Sequence, residues 1–364
     1  MQKINFILPC SGQNPVGGFK VIYEYANALV QRGYSVTVIH PMILGGADIH
    51  AYEGLRIKAH YYKQRFTHRY RPDTWFKLHQ KVKALWVPFL DQKFIPEADV
   101  VVATSWETAE WVSAYAADKG RKHYFIQDYE HFMTAAPDVR NRMQVTYTGP
   151  FRNIVISPVC SEIVEASGGS VCSQIPNGLD HNVYKLTEPI DSPRRRWIGF
   201  PTRNEPFKRT QDAVEALRLF REKSNGDFGF WSFGAKRPQG FPDWIEFHER
   251  PTDDELVQLY NQTVIFVVPS EYEGWGLPGS EAMCCGAALV STDNGGVRAY
   301  TEHARTALLS EPRNIEALAD NLLMLASDPH LRKTIAATGQ EQIRQFTWDR
   351  ATTALEKCLK EKID

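Results

Sequence analysis

Long apolar runs and an excess of one charge are both missing from this sequence of 364 residues. No apolar stretch reaches the roughly 18–20 residues that a helix needs to cross a bilayer. Residues 1–9 are interrupted too early to resemble a signal peptide, so we expect a cytoplasmic protein. The 42 Lys and Arg nearly balance the 43 Asp and Glu, and nothing in this composition indicates a nucleic-acid partner.

Cysteine is also scarce, and the six cysteines show no metal-ligand spacing. We predict that they are reduced and mostly buried, and we predict no metal site. Cys284 and Cys285 are adjacent on a predicted helix, where we expect packing rather than redox chemistry. Internal repeats and low-complexity tracts are not visible, so the composition is that of an ordinary globular protein.

What the sequence does contain is a regular alternation of strand-like and helix-like segments. It opens with an apolar run at 4–8, a Gly- and Pro-containing loop, helical spacing over 19–31 and a second strand at 35–39. Such alternation predicts an α/β fold built on parallel sheets, with Rossmann-like units.

The same pattern restarts in the second half of the chain with a strand at 197–200. A linker over 187–196, with two prolines and three consecutive arginines, precedes that strand. The length suits two domains, which we place at 1–186 and 187–347.

The most informative segment is 269–286, which follows an apolar run at 264–268 and contains Glu273 and Glu281. It predicts a strand, a Gly-rich loop and a helix, and the N–H groups of Gly276 to Gly279 (including Leu277) at the helix start suit an anion such as phosphate. Carboxylates beside a phosphate would repel it unless they face hydroxyls of the same ligand. A sugar nucleotide has this layout. The alternative to ligand binding is structural: Glu281 favours the start of a helix, and Glu273 is a solvated loop residue.

This segment resembles the signature of the retaining glycosyltransferases of family 4, in which seven residues separate two Glu. The resemblance implies a GT-B fold, with two Rossmann-like domains facing a central cleft and the last helix, 348–364, crossing back to the first domain. It implies that Glu273 contacts the donor sugar and Glu281 the ribose.

Other residues are assigned by the same resemblance. Arg203 and Lys208 match the pair that grips the diphosphate, where a guanidinium fork and an ammonium would neutralise the leaving nucleotide without a metal; ordinary surface basics are the alternative. Gly17 and Gly18 match a loop that approaches the donor phosphate, and a plain turn is the alternative.

The chain also departs from the family at two places. A His usual at the end of the strand over 123–127 is replaced by Gln127 or Asp128, and Ala299 stands where a Glu is usual. We expect Asp128 or Glu130 to orient the acceptor hydroxyl or the donor sugar, with Tyr129 on the acceptor side and His131 a weaker candidate. A loop acid that caps the next segment is the alternative.

The segment 56–93 is basic and aromatic. It is interpreted as a solvated helical face packed through its aromatics, as an acceptor groove that stacks sugar rings, or as a peripheral membrane contact.

The function that these patterns favour is retaining transfer of a hexose from a nucleoside diphosphate sugar, with UDP as the expected nucleotide, in cell-surface polysaccharide synthesis. The expected acceptor is a hydroxyl of a saccharide or lipid-linked saccharide, with no metal and no cofactor. A nicotinamide-dependent sugar-nucleotide epimerase or dehydrogenase and a non-catalytic sugar-nucleotide binder are the alternatives. Against the epimerase or dehydrogenase, this sequence has no Gly-x-Gly-x-x-Gly motif between its opening strand and helix, of the kind that binds such a nucleotide.

Overall fold

The fold consists of two parallel β-sheets, each flanked by helices. A computed structural model describes residues 1–10, 16–44, 51–66, 75–127, 129–224 and 226–361. The first sheet has seven strands in the order β3-β2-β1-β4-β5-β6-β7. These strands are β1 Lys3–Ile7, β2 Ser35–Pro41, β3 Lys83–Val87, β4 Val100–Ala103, β5 Arg121–Ile126, β6 Arg152–Val155 and β7 Val171–Gln174.

Six α-helices accompany the first sheet in the part of the chain that the structure describes. They are α1 Gly17–Gln31, α2 Ala51–Phe66, α3 Trp106–Ser113, α4 Glu130–Thr134, α5 Pro137–Tyr147 and α6 Pro158–Ala166. The strand order reverses between β1 and β4, because β2 and β3 lie on one side of β1 and the later strands on the other. Ligands of doubly wound sheets bind at such a reversal, beyond the carboxyl ends of the strands.

The second sheet repeats this arrangement with six strands in the order β10-β9-β8-β11-β12-β13. The strands are β8 Trp197–Pro201, β9 Gly229–Gly234, β10 Glu246–Glu249, β11 Thr263–Val268, β12 Ala288–Thr292 and β13 Ala307–Ser310. The helices of this half are α7 Thr210–Lys223, α8 Asp253–Gln262, α9 Leu277–Cys284, α10 Ile315–Ser327 and α11 Pro329–Ile343. The proposed domain boundary at 186/187 falls between the two sheets.

The last helix, α12 (Trp348–Lys360), packs against the first domain, as the sequence predicts. Arg32, the residue that follows α1, binds the carboxylates of Asp349 and Glu356. Trp348 meets the ring of Tyr25 edge-on, with their centroids 5.3 Å apart. The chain therefore crosses between the domains twice.

The two crossings touch each other. The N–H of Leu179 donates to the carbonyl of Phe346, at 3.0 Å. A Cβ on Gly178 would lie 2.6 Å from the backbone of Trp348, so only glycine fits at this contact. Arg195, in the predicted linker, is buried and donates to the carbonyls of Thr263 and Cys285, which fixes the linker on the second domain.

Several boundaries differ from the sequence prediction. The predicted loop before the first helix ends two residues earlier, because Gly17 and Gly18 belong to the first turn of α1. Strands β3 and β7, at the two edges of the first sheet, were not anticipated. The prediction of mostly buried cysteines is confirmed, since Cys160, Cys284, Cys285 and Cys358 are buried whereas Cys10 and Cys172 are exposed.

Candidate active site

The loop after β11 carries Glu273 and is tied to its neighbours by hydrogen bonds. The N–H of Glu273 donates to the carbonyl of Asn294 at 3.0 Å, and its Oε1 accepts from the Ser270 hydroxyl at 2.7 Å. The N–H of Glu271 donates to the carbonyl of Phe207, at 2.7 Å. This last bond joins the loop after β11 to the loop after β8, and so brings the two loops predicted to form the site together.

Helix α9 begins at a glycine that the geometry requires. Gly276 has a φ of 92°, in the left-handed region that residues with a Cβ adopt at a cost. Its carbonyl accepts a hydrogen bond from the buried Tyr300 hydroxyl at 3.1 Å. Pro278 has no N–H, and the N–H of Gly279 donates to the Gly276 carbonyl. The anion-binding donors predicted over 276–279 are thus reduced to the N–H groups of Gly276 and Leu277.

Trp275, just before this turn, has a structural role that the sequence analysis did not assign. Its ring is 3% exposed and packs on Tyr300 and Phe346. Its indole N–H donates to the Ser280 hydroxyl, at 3.2 Å. The tryptophan therefore anchors the turn between Glu273 and α9.

Lys208 is the centre of an ionic cluster that joins the two domains. Its Nζ lies 2.8 Å from Glu273 Oε2 and 2.9 Å from Glu130 Oε1, and Glu130 belongs to the first domain. Burial lowers the pKa of Lys208, but the two carboxylates raise it more, so its net pKa is above the usual value. The ammonium therefore stays charged, and the carboxylates of Glu130 and Glu273 both bind it.

Arg203 lies in the same loop as Lys208. Its backbone N–H donates to the Thr210 hydroxyl at 2.9 Å, and its guanidinium lies 5.3 Å above the centre of the Phe233 ring. One nitrogen donates to the carbonyl of Thr202, at 3.0 Å. The guanidinium is therefore held over an aromatic ring beside the carboxyl end of β8.

Glu281 is buried and faces a lysine from the other domain. Lys20 Nζ lies 3.8 Å from Glu281 and 3.6 Å from Asp253, and the Tyr184 hydroxyl donates to Asp253 at 2.9 Å. Burial raises the pKa of Glu281 to about 7, although Lys20 opposes the shift. Glu24, one turn after Lys20, also has a pKa raised to about 7, again mainly by burial.

Sequence reasoning missed Lys20, Asp253 and Tyr184. The position of Lys20, in the turn that follows Gly17 and Gly18, was the available signal. Gly17 does approach the second domain, because a Cβ there would lie 3.6 Å from the Leu277 side chain. Gly18 lies against Gln127, with the corresponding distance 3.5 Å.

The predicted acceptor residues lie at the contact between the domains. The Tyr129 hydroxyl donates to the carbonyl of Asn294 at 2.6 Å, and its ring meets that of Tyr272. Glu130 is 8% exposed, and its Oε2 accepts from the N–H of Tyr129 at 3.0 Å. Asp128 lies outside the described residues.

The basic and aromatic segment divides into two parts. Tyr61 is buried against Trp86, with their ring centres 4.7 Å apart, and Trp75 and Phe76 pack on Tyr23. Leu55, Tyr62 and Phe66 are exposed large apolar side chains among the positions of α2 whose side chains the structure describes. Residues 67–74, which include Arg69, Tyr70 and Arg71, lie outside the described residues.

Two further properties concern the described residues alone. Across the ranges given above, no three His, Cys, Asp or Glu side chains are grouped so that they could hold a metal ion. None of the helices in those ranges has the length and apolar character needed to cross a membrane.

Comparison with solved structures decides the fold. The chain superposes on Anabaena Alr3699/HepE, solved in complex with UDP, with a TM-score of 0.74 over 99% of both chains at 18% identity. It also matches sucrose-phosphate synthase from Thermosynechococcus elongatus, with a TM-score of 0.70 over 98% of both chains at 14% identity. The fold is GT-B.

Sequence comparison adds a match in the second half of the GT-B chain. Residues 193–342 match the family described as glycosyl transferases group 1. The O-antigen chain mannosyltransferase B of Escherichia coli is 35% identical over 111 residues, which are 30% of this chain and 28% of that protein. The chain spans about a quarter to a third of the length of the first curated relatives it matches. Residues 193–342, which match the family, contain Arg203, Lys208, Glu273 and Glu281.

Proposed function

We propose that this protein is a retaining glycosyltransferase that moves a hexose from a nucleoside diphosphate sugar to a hydroxyl of a saccharide or lipid-linked saccharide. The observation that carries the proposal is the convergence of Arg203, Lys208, Glu273 and the start of α9 at the carboxyl ends of β8 and β11. Cations, free N–H groups and an acid within one cleft match a ligand that has a diphosphate next to polyols.

In this proposal the diphosphate lies against Arg203, Lys208 and the N–H groups of Gly276 and Leu277. These groups stabilise the negative charge that develops on the leaving oxygen, so no metal or tightly bound cofactor is required. Gly17 and Gly18 line the opposite side of the cleft, where the absence of side chains lets the backbone come close to the donor.

The two acids have separate roles. Glu273 accepts hydrogen bonds from hydroxyls of the donor sugar, while its Oε1 stays fixed by Ser270. Glu281 accepts from the ribose, and Lys20 helps keep it ionised. Neither acid acts as a covalent nucleophile in this scheme, because each is engaged with hydroxyl groups.

Transfer then proceeds on one face of the sugar. The bond between the anomeric carbon and the diphosphate oxygen breaks while the acceptor oxygen attacks from the same side. The departing oxygen takes the acceptor proton, and the configuration at the anomeric carbon is retained. Asp128, Tyr129 and Glu130 orient the acceptor in this proposal.

UDP is the proposed nucleotide and cell-surface polysaccharide the proposed destination. The solved neighbour with UDP and the relative that acts on O-antigen support these choices. Exposed Leu55, Tyr62 and Phe66 on α2, beside the exposed Arg56 and Arg65, support contact with a lipid surface that carries the acceptor.

The test is a panel of UDP- and GDP-hexoses incubated with the full chain, in which nucleoside diphosphate release and the anomeric configuration of the product are measured. Glu273→Gln and Lys208→Ala should each lower turnover by about 100-fold. Glu271→Gln is the matched control, because Glu271 lies in the same loop but pairs with Arg313. Near-wild-type turnover in both site variants would refute the assignment.

Two other outcomes would replace the proposal. Donor binding without hydrolysis or transfer to any acceptor would identify a sugar-nucleotide binder. Tight binding of a reduced nicotinamide nucleotide, read by its fluorescence, would instead identify an epimerase or dehydrogenase.

A further inference from the structure

Two cysteines from distant parts of the chain meet at the edge of the first domain. The Sγ atoms of Cys172 and Cys358 lie 3.3 Å apart, although the residues are 186 positions apart in sequence. Cys172 is exposed on the edge strand β7, and Cys358 is buried in the last turn of α12. One member of the pair is therefore accessible to a solute, and the other lies directly behind it.

Two arginines hold the end of α12 in this position. Arg121 Nη2 donates to the carbonyl of Leu359 at 2.7 Å, and Arg152 Nη1 donates to the carbonyl of Glu361 at 2.9 Å. Arg152 Nη2 also binds the Glu361 carboxylate, at 2.5 Å. Carbonyls at a helix end have no partner within the helix, so these bonds stabilise the last turn and fix Cys358 next to β7.

The surroundings of Cys172 favour its reactive form. The hydrogen bond with Cys358 and the guanidinium of Arg152 lower the pKa of Cys172 to about 7, against the opposing effects of burial and Glu361. By contrast, burial raises the pKa of Cys285 to about 12. Because the thiolate is the nucleophile, Cys172 should react far faster than Cys285.

We propose that Cys172 and Cys358 form an oxidation site, at which a peroxide links α12 covalently to strand β7. The Cys172 thiolate attacks one peroxide oxygen, the O–O bond breaks, and a sulfenic acid forms while hydroxide leaves. The Cys358 sulfur then attacks the sulfenic sulfur. The S–S bond forms as the S–O bond breaks, and the Cys358 proton leaves with the oxygen as water.

Two electrons pass from the two sulfurs to the peroxide, so the step is balanced. The bond closes a loop that contains the whole second sheet, since that sheet lies between the two cysteines. A link across so long a loop restricts the unfolded chain strongly. The oxidised protein should therefore melt at a higher temperature than the reduced one, and a dithiol should reverse the shift.

The experiment treats the full chain with hydrogen peroxide, blocks remaining thiols with N-ethylmaleimide and maps peptides by mass spectrometry without reduction. The expected result is one linked peptide pair that contains Cys172 and Cys358, with a loss of about 2 Da from the intact mass before blocking. Dithiothreitol should remove the link.

Three variants complete the test. Cys172→Ser and Cys358→Ser should each abolish the linked pair, whereas Cys10→Ser, which changes the other exposed cysteine, should leave it intact. The peptide map of the wild-type protein tests the proposal even where a variant folds poorly. Oxidation of Cys172 to the sulfinic acid without any linked pair, or a linked pair that persists in Cys172→Ser, would overturn the proposal. None of these outcomes depends on glycosyl transfer.

Discussion

Lys208 of the second domain and Glu130 of the first lie 2.9 Å apart, and Glu273 shares the same ammonium at 2.8 Å. One positive charge thus serves two carboxylates, the buried one of Glu130 across the cleft and the partly buried one of Glu273 on its own side. A donor diphosphate that binds Lys208 has to compete with both acids, so donor binding and the contact between the domains are coupled.

The first prediction follows from this competition. In Glu130→Gln, Lys208 loses one of its two charged partners, and a hydrogen bond to a charged group contributes about 1.5–3 kcal/mol. We expect nucleoside diphosphate to bind several-fold more tightly and transfer to an acceptor to fall. Calorimetric titration and a transfer assay measure the two effects.

The comparison variant is Lys208→Ala, which removes the cation and leaves both acids uncompensated. It should weaken nucleotide binding. If Glu130→Gln weakens nucleotide binding as much as Lys208→Ala does, competition between Glu130 and the diphosphate is ruled out.

The second prediction concerns the glycine at the start of α9. Gly276→Ala places a Cβ at a φ of 92° and 3.2 Å from the Tyr300 hydroxyl. We expect a loss of about 1–2 kcal/mol in the free energy of unfolding from the left-handed backbone alone. Nucleotide binding should fall as well, because the turn that presents the N–H groups shifts.

Gly240→Ala is the matched control for that variant. Its φ is 71°, and a Cβ there has no heavy atom within 4 Å. Denaturant unfolding should show a loss of similar size in both variants, whereas titration with nucleotide should show a change in Gly276→Ala alone. Equal effects on binding would mean that the turn at 276 has no special part in it.

The third prediction is a dependence of stability on pH. The pKa of Glu24 rises from 4.5 to about 7 on folding, mainly because of burial. The folded state therefore keeps a proton that the unfolded state has lost, and stability falls as the pH rises through this window. In Glu24→Gln this part of the fall should disappear.

Thermal unfolding at several pH values measures the effect. The melting temperature of Glu24→Gln should decline less than that of the wild type between about pH 4.5 and about pH 7. Glu316→Gln, a substitution on the exposed side of α10, serves as the control and should follow the wild type. A Glu24→Gln curve parallel to the wild type would contradict the assignment.

The fourth prediction tests the proposed lipid contact of α2. Leu55 and Phe66 are 68% and 84% exposed, and burying such side chains in a lipid interface is favourable. The wild type should sediment with anionic vesicles, and Leu55→Ser with Phe66→Ser should reduce this binding at least tenfold. Met324→Ser, a substitution at an exposed apolar residue of the second domain, should have no effect. Sedimentation of the double variant at the wild-type level would exclude the contact.

The sequence predicted the parts of the fold that have strong local patterns. The run at 264–268 and the glycines after it predicted β11 and the start of α9 to within a residue. Edge strands β3 and β7 were missed, because β3 is exposed over its first two residues and lies in a basic, aromatic segment, and β7 has no buried residue. Short edge strands depend on their one neighbour rather than on a long apolar run.

The residues of the candidate site could be predicted from the sequence, but their contacts across the two domains could not. The motif and the two loops indicated Glu273, Lys208 and Arg203, and the structure brings Lys208 and Glu273 together. That Lys208 also binds Glu130, and that Lys20 faces Glu281, depends on how the two domains approach each other. No local pattern encodes such a contact between residues far apart in sequence.

The contact of Gly178 with Trp348 has a mechanical consequence. The two interdomain crossings run side by side there, with Leu179 and Thr347 paired as in a parallel sheet. A rigid rotation of one half against the other that preserves both sheets must keep this junction nearly stationary. Side chains close to the junction then move little, and those at the edge of the cleft farthest from the junction move the greatest distance.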